Sequence, residues 1–151
     1  MYTWWRFVHV VGAFGFLAAH GATAAVAMRL RKERDPAKIR ALLGLSRSTR
    51  PWMYASLLLL IAAGIVAGFQ GHWWDQGWIW TALILLVVLL VAAFPLAVPY
   101  YMKVRRAVAE DAATTPDELE GLLLSPRPIV IAVVETAGLV VIVWLMVLKP
   151  F

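Results

Sequence analysis

The sequence predicts an all-α membrane protein, built as an up-down-up-down bundle of four transmembrane helices. Hydrophobic residues make up 62% of the 151 residues, and the mean hydropathy is +0.77. Soluble domains average about 45–50% apolar residues. The apolar residues form four stretches, each near the ~20 residues that a helix needs to cross a bilayer. Almost all charged residues lie between or outside these stretches.

The four predicted spans belong to one transmembrane domain, residues 1–151, and cover residues 3–28, 51–69, 78–102 and 129–148. The first span begins MYTWWRFVHVV, which lacks the basic start of a signal peptide, and it is too long to be one. The second and third spans are joined by the short polar segment QGHWWDQG, which indicates a hairpin connection. The fourth span is apolar apart from a single carboxylate.

Each of the two long loops, residues 29–50 and 103–128, predicts a short helix with proline at its first position. In both, apolar residues follow at the third, sixth and seventh places after the proline. The cap and proline pairs are Asp35-Pro36 and Thr115-Pro116. Because the copies are 80 residues apart, they predict a 2+2 internal repeat with the halves related by an axis along the membrane normal. Independent origin of the two short helices is the alternative.

The two short helices carry opposite charges at matching places. Lys38 and Arg40 in the first copy stand where Glu118 and Glu120 stand in the second. If the halves are related by rotation, these charges are expected to pair across the axis, with little gain in stability for a surface pair.

The basic residues set the predicted orientation. Twelve of the 14 Lys and Arg residues lie in or beside the two long loops, and only Arg6 and Lys149 lie at the other end. Cytoplasmic loops carry this excess of basic residues, so both termini are predicted to be extracytoplasmic and the protein to be a multi-pass protein of the bacterial plasma membrane. The net charge of +5 is therefore attributed to membrane edges, and no nucleic-acid partner is expected.

The sequence contains no cysteine. This excludes disulfides, iron–sulfur clusters and thiolate metal sites, and leaves His, Met, Tyr and carboxylates as candidate ligands. Only three ionisable side chains lie deep in the spans, namely His9, His20 and Glu135. Polar groups at membrane depth are costly and are commonly functional, so these three residues are the first candidates for a site.

His9 and His20 are candidate metal and haem ligands, but they cannot share one iron. They are eleven residues apart, so on one helix they share a face within about 20° and stand ~16 Å apart along the axis. Each needs a partner from another helix. His9 lies near the outer end of its span, at the level of the short loop and the end of the fourth span.

Depth predicts that His20 and Glu135 are partners. His20 is nine residues from Arg29 and Glu135 is seven residues from Pro128, which places them within about 3 Å of the same depth. In one interpretation His20 ligates a haem and Glu135 orients the imidazole without binding the metal. In another the pair passes protons. Alternatively it fixes helix register. Tyr100, somewhat nearer the cytoplasm, is a further candidate cofactor-binding residue.

The N-terminal segment WWRFVHVVGAFGFLAAHG resembles that of small bacterial four-helix membrane proteins of the CopD and HemJ-like group. A first-span histidine follows a tryptophan in that group, as His9 follows Trp5 here. The resemblance implies a four-helix bundle in the plasma membrane and, by analogy, a b-type haem or copper site that uses His9.

These observations lead to three functional hypotheses. The first is a protein that binds haem b for redox chemistry or electron transfer, with His9 or His20 as axial ligand. The second is a non-enzymatic assembly module, a homodimer or an accessory subunit of a larger membrane complex, based on the many small residues of the first span. The third and weaker one is passage of copper or a small solute. Whether the protein is an enzyme stays open.

The predicted orientation can be tested by single-cysteine labelling, since the chain has no cysteine of its own. We expect Asp75→Cys, in the short loop, to react with a membrane-impermeant maleimide in intact cells. Lys32→Cys, in the first long loop, should react only after permeabilisation. The opposite pattern would show that the bundle is inserted the other way round.

Overall fold

The computed structural model describes residues 1–109 and 114–151, and it is all-α as predicted, with four helical segments long and apolar enough to cross a membrane. Part of the second long loop, residues 110–113, lies outside the described residues. The helices are α1 (Tyr2–Leu30), α2 (Pro36–Gln70), α3 (Gly77–Ala107), α4 (Pro116–Leu123) and α5 (Arg127–Leu148).

The bundle consists of two helical hairpins. Helix α1 packs along α2, and α3 packs along α5, while α1 also contacts α5 and the short α4 contacts α3. Contacts between α2 and α3 are few by comparison. This arrangement leaves a gap between the hairpins that opens toward the lipid between α2 and α3.

The first hairpin is held by glycines that let the two backbones approach each other. A Cβ atom on Gly12 would lie 2.7 Å from the backbone nitrogen of Leu60, and one on Gly15 would lie 2.6 Å from the hydroxyl of Ser56. Small residues serve this purpose in lipid, where no hydrophobic force drives helices together. Two small residues of α1, Gly12 and Gly15, are thus covered inside the protein by α2.

Helix α2 corrects the predicted boundary between the first long loop and the second span. A separate loop helix and a span beginning at Pro51 were expected, but one helix runs through both, with Pro51 inside it. The hydroxyls of Ser48 and Thr49 donate hydrogen bonds to the carbonyls of Leu45 and Ser46 in the turn before the proline. The carbonyl that Pro51 itself leaves without an N–H donor is that of Arg47, four residues earlier.

Both predicted caps form. The Asp35 carboxylate accepts a hydrogen bond from the backbone N–H of Ala37, and α4 begins with a capping box between Thr115 and Glu118. The apolar stripes that follow the two prolines meet in one buried cluster, which contains Ile39, Leu43, Leu119 and Leu123 together with residues of α1 and α3. A duplicated ancestor would produce such a cluster, and the internal repeat stays a prediction.

The expected charge pairing between the two copies is wrong. Glu120 binds Arg34 at 2.6 Å instead, and Arg40 donates to the carbonyl of Val108, at the end of α3. Glu118 is occupied by the capping box. The start of α2 thus lies beside the end of α3, while the connection from α1 to α2 lies beside α4, which gives the charges of the two copies different partners.

Aromatic rings gather at the opposite end of the bundle, as the sequence indicates for a membrane interface. The ring of Trp73 contacts both Tyr2 and Trp78, and the ammonium of Lys149 lies 4.0 Å from the centre of the Trp73 ring. The carbonyl of Phe151 accepts a hydrogen bond from the backbone of Trp78. These contacts fix the C-terminus to the start of α3.

The glycine packing gives a direct test of the first hairpin. We expect Gly12→Ala to destabilise the protein by about 1–3 kcal/mol, because the added methyl group would meet the backbone of Leu60 rather than a side chain that can move. Gly21→Ala is the matched control, since no atom lies within 4 Å of its added Cβ. Thermal unfolding in detergent measures both, and equal melting temperatures for the two variants would contradict the packing described.

Candidate functional site

A cavity of about 450 Å³ lies between the two hairpins, in the half of the bundle that carries the basic loops. Its volume is in the range of small-molecule sites. Each long helix contributes residues spaced three or four apart, as one face of a helix requires. These stripes contain Phe16, His20, Thr23 and Ala27 of α1; Ser46, Arg50, Met53 and Leu57 of α2; Leu90, Phe94, Ala97 and Tyr101 of α3; and Pro128, Ile131 and Glu135 of α5.

His20 and Glu135 meet in this cavity. The Nε2 atom of His20 lies 3.3 Å from Oε2 of Glu135, and the two side chains are 17% and 20% exposed. The approach has the distance of an ion pair but not the geometry of a hydrogen bond, and Nε2 has no hydrogen-bond partner among the described residues. The ring of Phe16 stacks on the imidazole at 5.9 Å. His20 and Glu135 thus lie at the same depth, as their positions in the two spans predict.

Tyr100 is a second polar group without a partner in the same cavity. Its side chain is 3% exposed, and no atom of the described residues hydrogen-bonds to its buried hydroxyl. The neighbouring Tyr101 ring holds it in place by an edge contact at 5.1 Å. An unsatisfied buried hydroxyl costs about 1–3 kcal/mol, so a polar partner from water or a ligand is expected here.

His9 lies outside this cavity. Its Nδ1 atom donates a hydrogen bond of 2.8 Å to the carbonyl of Leu60, and its ring covers Gly64 at the α1–α2 contact. The partner was expected in the short loop or at the end of the fourth span, but α2 supplies it because the glycines bring α2 so close to α1. His9 therefore joins the first hairpin, and its role as a metal ligand stays a prediction.

The donor set offers little to a bare metal ion. Within residues 1–109 and 114–151, no group of three or more His, Asp or Glu side chains is close enough together to hold one. A haem needs only one protein ligand, but the arrangement at His20 does not fit the expected role of Glu135. Metal-bound histidines usually give the nitrogen that does not bind the metal to a carboxylate, whereas Glu135 faces Nε2, the nitrogen that would bind iron.

Two arginines of the cavity were not among the sequence-predicted site residues. Arg50 and Arg105 both line it, and each is only partly exposed. Their sequence signal is weak because both sit among other basic residues at the predicted membrane edge. The helical stripes could have identified them, since Arg50 precedes Tyr54 by four residues on α2 and Arg105 follows Tyr101 by four on α3.

A second, larger recess of about 680 Å³ lies between the end of α3 and α4. It is a shallow surface trough lined by Lys103, Arg106 and Glu118 among others, and it contains no buried polar group without a partner in the described part of the chain. The inner cavity between the hairpins is therefore the candidate site.

A double-mutant cycle tests the pairing of His20 with Glu135. Each single change, His20→Leu or Glu135→Leu, leaves one polar group unpaired at membrane depth, so the double variant should lose less stability than the sum of the single losses. We expect a coupling of about 0.5–3 kcal/mol from unfolding in detergent. His20→Leu combined with His9→Leu is the control and should be additive, since these residues share no partner. Additive losses in both cycles would show that the pair is not coupled.

Comparison with known proteins places the chain in a family without adding an activity. The chain has no match among curated proteins or solved structures. The relationship to the CopD and HemJ-like group is not seen in these comparisons and stays an expectation. Residues 3–150 match the model of a family described as predicted integral membrane protein, DUF2269. Because the match covers nearly the whole chain, the protein belongs to the DUF2269 family of integral membrane proteins.

Proposed function

We propose that the protein binds a lipid-soluble ligand in the cavity between its hairpins, with a polar group of that ligand contacting His20 and Tyr100. The main support is that two polar atoms without a hydrogen bond in the described residues, Nε2 of His20 and the Tyr100 hydroxyl, lie in one cavity of about 450 Å³. A bundle that only needed to pack would gain stability from apolar side chains at these places.

The surroundings of the cavity support a ligand that enters from the membrane. The side chains of Tyr54 and Phe94 line the cavity and are 60% and 69% exposed, on the side where α2 and α3 make few contacts. In the bilayer this side faces lipid. A molecule could therefore reach the polar pair by lateral diffusion, without crossing the aqueous phase.

Glu135 gives the site a group that can exchange a proton with the ligand or with His20. A carboxyl group and an imidazole at 3.3 Å can exchange one proton, and whichever side chain holds that proton can donate it in a hydrogen bond to the bound polar group. This arrangement binds and orients a ligand that carries a carbonyl, hydroxyl or acidic group.

Haem b, the ligand expected from the sequence, stays a candidate with a simple test. Its edge carboxylates would suit the two arginines of the cavity, but His20 would have to turn Nε2 away from Glu135 to reach an iron. Protein expressed with ample haem and purified should then show a Soret band that His20→Ala removes and His9→Ala retains. Absence of the band from the unaltered protein would exclude haem and the redox role built on it.

The other hypotheses have less support. The assembly module rested on the small residues of α1, of which Gly12 and Gly15 are covered by α2. Passage of copper has less support, because no three His, Asp or Glu side chains lie close together in the described residues. Location in a bacterial plasma membrane with both termini outside is retained as part of the proposal, because the basic loops favour it.

Analysis of co-purified molecules tests the proposed function. Mild detergent should extract the protein with a stoichiometric amount of one amphiphile, detectable by mass spectrometry after solvent extraction. His20→Asn and Tyr100→Phe should each reduce its amount, because each removes a hydrogen bond worth about 0.5–1.5 kcal/mol. His9→Asn is the matched control and should retain it. Equal recovery from all four proteins would contradict the proposal.

A further inference from the structure

The inner cavity is lined by apolar side chains and by two arginines. Arg50 of α2 and Arg105 of α3 line it together with Met53, Leu57 and Phe94. Neither guanidinium takes part in an ion pair or a hydrogen bond with any residue in the ranges 1–109 and 114–151. Among the other arginines of this end, three have side-chain partners, namely Arg31, Arg34 and Arg40. The rest also have none in the described residues, but only Arg50 and Arg105 line the cavity.

The two cations line the same cavity, and both are only partly exposed. Holding like charges together at the edge of an apolar cleft costs free energy unless an anion lies between them. A guanidinium forms paired hydrogen bonds with phosphate, and basic recesses between transmembrane helices at the cytoplasmic side bind anionic lipid head groups.

We propose that the cavity binds an anionic phospholipid of the leaflet on the basic side, with the phosphate between Arg50 and Arg105. An acyl chain then lies in the apolar cleft between α2 and α3, and the glycerol and ester groups reach toward Tyr100 and His20. This inference rests on the proposed function, for which it names the ligand class. The arginines select the head group, and the deeper polar atoms hold the ester region.

Native mass spectrometry tests the inference on the full chain. Protein is stripped of lipid in detergent and offered vesicles of phosphatidylglycerol or of phosphatidylcholine. The unaltered protein should retain one phosphatidylglycerol in preference to phosphatidylcholine. The double variant Arg50→Gln/Arg105→Gln should bind it about a hundred-fold more weakly, because each arginine loses a charge-assisted hydrogen bond to the phosphate that contributes about 1.5 kcal/mol. Equal retention of the two lipids by the unaltered protein would overturn the inference.

A charge-matched variant separates the cavity from the general attraction of a basic surface. Arg29→Gln/Arg106→Gln removes two charges from the same end of the bundle, and neither residue lines the cavity. It should bind phosphatidylglycerol like the unaltered protein. If it loses as much affinity as Arg50→Gln/Arg105→Gln, then the lipid binds through net charge alone and the inference fails.

A plug variant shows whether the lipid enters the cleft. Ala97 lines the cavity on α3, and Ala97→Phe fills it while leaving both arginines in place. This variant should lose the bound phosphatidylglycerol and keep the melting temperature within a few degrees. Undiminished binding by the plugged protein would place the lipid outside the cleft and contradict the inference.

Comparison of the variants also distinguishes an anionic phospholipid from another ligand of the same cavity. If His20→Asn and Tyr100→Phe lose their co-purified molecule while Arg50→Gln/Arg105→Gln does not, the cavity binds a ligand that is not an anionic phospholipid. If none of these variants loses it, both fail. A Soret band that the arginine variant weakens would assign the two cations to the carboxylates of haem instead.

Discussion

The structure depends on one constraint, which is that a polar group inside a bilayer has no water to bind. Backbone polar groups satisfy this constraint by hydrogen bonding within the long helices, and few polar side chains occur in the spans. The few polar atoms that remain must find partners within the protein or in a ligand. His9 finds the carbonyl of Leu60, whereas Nε2 of His20 and the hydroxyl of Tyr100 find none in the described residues. This contrast separates a structural histidine from a candidate site.

Packing explains why the two histidines differ. In the first hairpin, glycines allow α1 and α2 to touch, and His9 lies at this contact. In the basic half, Leu30 of α1 and Val104 of α3 join one buried cluster with the start of α2 and with α4. The cavity that contains His20 lies between the hairpins beside this cluster, since Tyr100 belongs to both. His9 thus lies in a packed contact, whereas His20 lies in a cavity.

Much of the fold could be predicted from hydropathy, charge and capping patterns, because these depend on local sequence. The four spans, the Asp35 and Thr115 caps and the depth of His20 relative to Glu135 are of this kind. The unbroken helix through Pro51 and the bond of His9 to Leu60 could not be, since both depend on how closely α2 approaches its neighbours. The site was predicted only in part. Arg50 and Arg105 line it because the two hairpins face each other there, and this packing does not follow from local sequence.

If the cavity binds a ligand, an experimental structure of the protein in lipid nanodiscs will show that ligand in place. We expect an elongated feature between α2 and α3 that ends within hydrogen-bond distance of the Tyr100 hydroxyl and Nε2 of His20. A cavity closed by contact of α2 with α3, with His20 hydrogen-bonded to Glu135 and no room for a ligand, would contradict it.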